Sequence, residues 1–96
     1  MKKIATAIIL FVMSVSVQAF TLVIDAGHGG RDGGALGRKS KEKNINLAVA
    51  LELGRLVEQN CPDVKVVYTR KTDVFVELTE RADIANKAKA DLFISI

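Results

Sequence analysis

The sequence has little of several residue types that other classes of domain depend on. It contains one cysteine, Cys61, so no disulfide can form within the chain. Four Phe, one Tyr and no Trp leave little aromatic surface for stacking on bases or sugars. The 14 Lys and Arg against 11 Asp and Glu give a formal charge of only +3. Together these shortages exclude a disulfide scaffold and disfavour nucleic acid as a partner.

The first 19 residues have the composition of a secretory signal peptide. Lys2 and Lys3 form a short basic start, and the apolar run at residues 4–17 is short for a membrane span. Val17 and Ala19 put small residues at the two key positions of a cleavage site. We predict a signal peptide at residues 1–19, the alternative being a permanent N-terminal anchor. Cleavage would export residues 20–96 to the periplasm, the extracellular space or the cell wall, with no stable membrane anchor.

Hydrophobic periodicity predicts alternating strands and helices after residue 19. Continuous apolar runs predict buried strands, and apolar residues at helical spacing predict helices between them. The expected elements are a strand at 20–24, a helix from Glu42 to about Asn60, a strand at 64–68, a helix from about Leu78 and a strand at 91–96. This β-α-β-α-β order indicates an α/β layer fold with parallel strands and right-handed crossovers.

The first predicted helix has a long apolar stripe. Ile45, Val49, Leu53 and the pair Leu56 and Val57 recur at the spacing of one helix face. Leu47, Ala48, Ala50 and Leu51 widen the stripe, so we expect the helix to be well covered by the sheet. Pro62 follows closely and cannot continue the helix.

The stretch at residues 23–37, V-I-D-A-G-H-G-G-R-D-G-G-A-L-G, holds six of the seven glycines and the only histidine, His28. Glycine serves where the backbone takes positive φ or where another group approaches closely. The stretch lies between the end of a strand and a helix, which is where open α/β sheets bind ligands. It is therefore the candidate functional site.

Nucleotide-binding and serine-nucleophile patterns fit this loop poorly. Arg38 stands where a phosphate-binding P-loop needs its second glycine, and Asp32 stands where a dinucleotide fingerprint needs its last one. Neither Ser40 nor Ser95 lies in a G-x-S-x-G elbow. The loop does not match these three site classes.

A metal site is the remaining chemical interpretation. His28 follows the strand and Glu42 opens the first helix, so a loop that folds back would bring them together. Histidine and glutamate are both zinc ligands, although a catalytic zinc has three protein ligands. The residues alone leave a second interpretation open, with His28 bonded to backbone and Glu42 a charge at the helix start.

Four stretches are distributed along residues 20–96. They are the one at 23–37 above, E-K-N-I-N-L-A-V-A-L-E-L, V-V-Y-T-R-K-T-D and L-T-E-R-A-D-I-A-N-K-A-K-A-D-L-F-I-S-I. In order and spacing they resemble the zinc-dependent N-acetylmuramoyl-L-alanine amidases of the amidase-3 type. The pattern D-x-G-H-G-G-x-D-x-G-A followed by a helix-opening glutamate is far more specific than a glycine motif alone.

The resemblance implies a three-layer α/β/α fold with a twisted, largely parallel sheet, similar to the phosphorylase/hydrolase folds. It implies hydrolysis of the peptidoglycan amide between N-acetylmuramic acid and L-alanine by zinc-activated water. It also implies that His28 and Glu42 are zinc ligands. Asp25 and Asp32 would then not bind the metal but would orient the loop or His28 through hydrogen bonds.

The resemblance also implies groups that residues 1–96 do not contain. The third zinc ligand, a histidine, is expected directly after Ile96, and the general-base glutamate is expected further on. By itself the chain is therefore expected to lack turnover, and the alternative function is a catalytically incomplete fragment or remnant of such an amidase. An activator protein is possible, with nothing in the sequence to name it. Arg70, Arg81 and Asp83 are expected to make structural ion pairs or loop contacts.

Overall fold

Three strands and two helices alternate along the part of the chain that the computed structural model describes, residues 19–96. They are β1 (Phe20–Asp25), α1 (Glu42–Asn60), β2 (Val64–Tyr68), α2 (Leu78–Lys87) and β3 (Leu92–Ser95). The predicted order of elements is confirmed. The signal peptide predicted at residues 1–19 lies outside the described residues except for Ala19. Within residues 19–96, no helix has the length and apolar character needed to cross a bilayer.

The three strands form one parallel sheet with β1 at its centre, in the order β2-β1-β3. Phe20 pairs with Val64 on one side, and Leu22 pairs with Leu92 on the other. Val23 and Ile24 are completely buried. This burial explains why β1 reads as a continuous apolar run, since a parallel strand is covered on both faces.

The helices cover opposite faces of the sheet. Because side chains alternate along a strand, Leu22 and Ile24 share one face, where they pack with Ala50 of α1. Val23 points to the other face, where its β3 partner Phe93 lines a groove beside α2. The domain therefore has three layers, α/β/α, as the α/β prediction required.

The face that α1 turns to the sheet matches the predicted stripe only in part. Ile45, Val49 and Leu56 are 52%, 46% and 43% exposed, so the prediction was wrong for them. The residues of α1 that are buried are Lys43, Asn46, Ala50 and Gly54. Small side chains let the helix lie close to the sheet: the Tyr68 hydroxyl occupies the space that a Cβ at position 54 would need. Ala50 belongs to the core, and three other residues of the predicted stripe, Leu47, Leu53 and Val57, pack against it.

Candidate metal centre

The glycine-rich loop folds back onto the start of α1. The backbone N–H of Glu42 donates to the carbonyl of Ala35 at 2.9 Å. The next N–H, that of Lys43, donates to the carbonyl of Gly33 at 3.1 Å. The first amides of a helix have no partner within the helix, so these loop carbonyls satisfy two of them. The same bonds fix Glu42 beside His28.

His28 lies between two carboxylates. Its Nε2 is 2.8 Å from Oε2 of Glu42, and its Nδ1 is 2.9 Å from Oδ2 of Asp32. The other carboxylate oxygen of Asp32 accepts the backbone N–H of Gly34 at 3.1 Å. The side chains of His28 and Glu42 remain 34% and 40% exposed, so their shared space is open to a ligand. The structure thus brings the two residues of the metal hypothesis together, with Asp32 behind the imidazole.

The charges of this cluster support one another. The hydrogen bond to Asp32 raises the pKa of His28, and the negative charges of Asp32 and Glu42 act in the same direction. The hydrogen bond from His28 lowers the pKa of Asp32. The pKa of Glu42 is lowered chiefly by the backbone N–H of Ala35. Two ionised carboxylates therefore flank the imidazole at neutral pH, and a cation is favoured between them.

The backbone beside this cluster takes positive φ values that glycine tolerates best. Gly34 has a φ of +65°, and a Cβ there would lie 2.7 Å from Cδ2 of His28 and 2.9 Å from Cβ of Glu42. His28 itself has a φ of +62°, which a residue with a side chain adopts only when its surroundings hold it there. The glycine spacing of the loop therefore makes room for the His28 and Glu42 side chains.

Arg81 holds the backbone that carries His28. Its side chain is 5% exposed and pairs with Asp25, with Nη1 2.8 Å from Oδ1. The guanidinium also donates to the carbonyls of Ala26 at 2.7 Å, His28 at 2.8 Å and Val76 at 2.9 Å. Asp25 thus acts on the loop through Arg81 and does not contact the imidazole directly.

The ionised carboxylate of Asp25 makes the stability of the fold depend on pH in the acidic range. Burial by itself would raise the pKa of Asp25, but hydrogen bonds from Arg81, Thr69 and Ser95 outweigh it and hold that pKa below the ordinary value. A lowered carboxyl pKa stabilises the fold above the ordinary value near 3.9, and the contribution is lost as pH falls through the folded-state pKa. We expect the free energy of unfolding, measured in urea from pH 6 to pH 3, to fall below about pH 4.

The test compares Asp25→Asn with the control Asp63→Asn. Asp63 lies on the exposed turn before β2. In Asp25→Asn the free energy of unfolding should decrease less as the pH falls below about 4, whereas Asp63→Asn should show the same decrease as the wild type. Identical slopes in the wild type and Asp25→Asn would contradict the assignment.

A second buried arginine, Arg70, ties three segments together. It donates from Nε to the carbonyl of Ala26 at 2.9 Å and from Nη2 to the carbonyls of Gly27 at 2.9 Å and Lys43 at 3.0 Å. Its Nη1 donates to the carbonyl of Thr72 at 3.0 Å. The expected structural role of the two arginines agrees with these contacts. Asp83, expected to behave similarly, is exposed on α2 and makes no ion pair with residues 19–96.

The segment at residues 72–77, here called the strap, crosses the glycine-rich loop after β2. Its Asp73 accepts the backbone N–H of Gly30 at 2.8 Å and pairs with Lys43 Nζ at 2.8 Å. Lys43 Nζ donates as well to the carbonyl of Gly30 at 3.0 Å. A Cβ at Gly29 would overlap the Val74 carbonyl oxygen, so the strap can lie this close only to glycine.

The pairing of Lys43 with Asp73 is not predicted by the sequence. In the sequence, Lys43 is one of several charged residues around the start of the first helix, and Asp73 lies 30 residues away in a loop. The one available signal was spacing, because Lys43 shares a helix face with Asn46, Ala50 and Gly54.

A cleft of about 490 Å³ opens beside His28. The carboxyl ends of β1 and β3 and the strap form its walls, and the lining includes Asp32, Phe75, Glu77, Arg81 and Ile96. No group of three or more His, Cys, Asp or Glu side chains within residues 19–96 is arranged to hold a metal. The described part of the chain therefore offers two converging donors, His28, which lines the cleft, and Glu42 beside it.

Residues 22–96 match the amidase-3 family, described as N-acetylmuramoyl-L-alanine amidase. The chain belongs to this amidase family. A probable N-acetylmuramoyl-L-alanine amidase AmiB of Haemophilus influenzae is 42% identical over 88 residues, which are 90% of this chain and 20% of that protein. The amidase AmiC of Escherichia coli O6:H1 is 43% identical over 80 residues, which are 82% of this chain and 19% of the relative.

The fold of this amidase-family chain agrees with solved structures. The catalytic domain of CwlV, an N-acetylmuramoyl-L-alanine amidase from Bacillus (Paenibacillus) polymyxa var. colistinus, superposes with a TM-score of 0.76 at 47% identity. The match covers 79% of this chain and 43% of that domain. The chain thus spans about a fifth of the curated relatives named above and less than half of a solved catalytic domain.

Proposed function

We propose that the chain is the N-terminal part of the catalytic domain of an exported peptidoglycan hydrolase. The bond cleaved is the amide between N-acetylmuramic acid and the L-alanine of the stem peptide. Family membership supports the reaction class. The observation that carries the proposal is the cluster in which His28 Nε2 is 2.8 Å from Glu42 and Nδ1 is 2.9 Å from Asp32.

The donor set fits a zinc ion. One imidazole nitrogen and one carboxylate converge from two elements, and both are zinc ligands by type. The other imidazole nitrogen is held by a carboxylate, an arrangement that metal-binding histidines commonly have. We assign His28 and Glu42 as ligands and Asp32 as the residue that orients His28. When bound there, zinc would polarise the scissile carbonyl and lower the pKa of its water.

The chain's own residues prepare the site. With a proton on Nδ1, that N–H donates to Asp32, and Nε2, which lies 2.8 Å from Oε2 of Glu42, is the nitrogen that would bind zinc after losing its own proton. Ile96 lines the same cleft as His28, and its carbonyl accepts the backbone N–H of Gly27 at 3.3 Å. A histidine directly after Ile96 would follow at the edge of the cleft, which supports its proposed role as third ligand.

For residues 1–96 alone we propose the alternative function, an amidase fragment with no turnover of its own. It is favoured by the lack of a three-residue metal cluster within residues 19–96. The general base is also expected outside this stretch. We keep the proposal of export through a signal peptide at residues 1–19, of peptidoglycan as the partner, and of an activator protein not yet identified.

Zinc binding by the chain should depend on Asp32. Asp32→Ala removes the acceptor of the His28 Nδ1 proton, and losing such a partner typically weakens metal binding by roughly 10–100-fold. The dissociation constant can be measured by competition with a chromophoric chelator. Asp83→Ala removes an exposed carboxylate from α2 and is the control. An unchanged constant in Asp32→Ala, or an equal loss in both variants, would contradict the assignment.

The proposed reaction is tested by reading the natural gene beyond the codon of Ile96 and by assaying the longer product. The codons after Ile96 should specify histidine at once and a glutamate further on. The longer product should release stem peptides with a new L-alanine N-terminus from purified peptidoglycan, and His28→Ala or a chelator should abolish the release. Activity that survives His28→Ala would refute the proposal. A stop codon after Ile96 would leave only the alternative of an inactive fragment.

A further inference from the structure

A fixed positive charge stands at the rim of the cleft. Arg31 lies in the turn that Gly29 and Asp32 close with backbone hydrogen bonds of 2.8 and 3.0 Å. Its side chain is 75% exposed, yet its guanidinium carbon lies 4.2 Å from the centroid of the Phe75 ring. Its Nη2 is also 3.5 Å from Oε1 of Glu77. Phe75 and Glu77 both line the cleft that contains His28, so Arg31 is held beside the candidate site.

The other cations near the cleft are already engaged. Arg81 uses all its donor nitrogens on Asp25 and backbone carbonyls. Lys43 Nζ is bonded to Asp73 and to the carbonyl of Gly30. In contrast, the single hydrogen bond of the Arg31 side chain to residues 19–96 is the long contact with Glu77. Arg31 therefore retains donors for a ligand.

The surroundings define what that ligand is. Asp32 and Glu77 of the lining, with Glu42 behind His28, make this side of the cleft negative, so an anionic substrate group needs a local cation to lie there. A guanidinium presents parallel N–H donors that match a carboxylate. Stacking on Phe75 restricts the side chain before binding, which lowers the entropic cost of ordering it.

We propose that Arg31 binds a carboxylate of the stem peptide next to the scissile amide and selects peptides in which that carboxylate is free. The inference rests on the proposed function. An extended chain spans at most about 3.5 Å per residue, so Arg31, three positions after His28, has its Cα within roughly 11 Å of the His28 Cα. Because Arg31 lies this near His28, the carboxylate in the proposal is that of a residue close to the scissile amide, the one directly after L-alanine.

Two small probes that differ in one group test this. N-acetylmuramoyl-L-alanyl-D-glutamate carries the free α-carboxylate, and N-acetylmuramoyl-L-alanyl-D-isoglutamine carries an amide there. Each is titrated into the ¹⁵N-labelled chain in metal-free buffer, and dissociation constants are taken from the amide shifts. We expect the acid to bind about fivefold more tightly, as one exposed charge pair allows. The preference should shrink in 1 M salt, where the Debye length is about 3 Å.

Variants separate recognition from folding. Arg31→Gln should bring the ratio of the two dissociation constants close to one, and Phe75→Leu should reduce it in part. Arg38→Gln makes the same change of charge on the exposed tip of the loop and should leave the ratio as in the wild type. Damage to the fold would weaken the binding of both probes equally and leave the ratio of their dissociation constants unchanged.

The outcomes distinguish the inference from the function on which it rests. Equal binding of the two probes by the wild type, or a preference that persists in Arg31→Gln, overturns the role of Arg31 alone. If neither probe binds at any concentration, both this role and the proposed muramyl-peptide substrate are overturned.

Discussion

Arg81→Met should lower the free energy of unfolding by about 3–5 kcal/mol, because it leaves the buried carboxylate of Asp25 without its partner. The side chains of Arg81 and Asp25 are 5% and 8% exposed, so water cannot replace the lost pair. The carbonyls of His28 and Val76 lose their donor at the same time, and the carbonyl of Ala26 keeps only Arg70 as a donor. Urea titration monitored by circular dichroism measures the effect.

Arg55→Met is the matched control for this change. Arg55 is also paired with a carboxylate, that of Glu52, but both side chains are more than half exposed on α1. Exposed pairs contribute little, so a loss below about 1 kcal/mol is expected. The double variant Asp25→Asn with Arg81→Met should lose less than the two single changes added together. Similar losses in Arg81→Met and Arg55→Met would show that the Arg81 pair has no special role.

Gly29→Ala should cost at least about 2 kcal/mol of stability and should displace the strap. Gly29 has a φ of +129°, which is unfavourable for alanine, and its new Cβ would overlap the Val74 carbonyl oxygen. Because that oxygen is backbone, no side-chain rotation relieves the overlap. The Gly30 amide, which donates to Asp73 at 2.8 Å, reports the displacement through its ¹⁵N–¹H shift.

Gly37→Ala serves as the comparison. Its Cβ would approach the Ser40 carbonyl oxygen at 3.3 Å in an exposed turn, so a change within about 0.5 kcal/mol is expected. If Gly29→Ala were as mild as Gly37→Ala, the close contact between the strap and the loop would not exist in solution.

Local pattern was enough to predict the elements. The β-branched run of β1, the helical spacing after Glu42 and the stop before Pro62 each act within a few residues, so the sequence alone reveals them. The convergence of His28 and Glu42 required one further condition, a loop that folds back. The loop carbonyls that accept the first amides of α1 provide it.

Contacts between segments that are distant in the chain could not be predicted from the sequence. Lys43 meets Asp73 across 30 residues, and Arg70 reaches the carbonyl of Lys43 across 27, and no short-range signal marks either contact. The predicted face of α1 was wrong at Ile45, Val49 and Leu56 for a related reason. Apolar spacing marks a stripe, but the close approach of Gly54 to Tyr68 decides which side of the helix meets the sheet.

The tip of the glycine-rich loop is closed separately from the part that carries His28. Leu36 and Lys41 pair across its base, and the backbone N–H of Gly37 donates to the carbonyl of Ser40 at 2.8 Å. Residues 37–41 are exposed and lie outside the lining of the cleft. Because the ends of the tip are fixed, each doubling of its length costs only about 0.6 kcal/mol of closure entropy. Insertions can accumulate there while the geometry around His28 is kept, so the tip is where this loop is free to diversify.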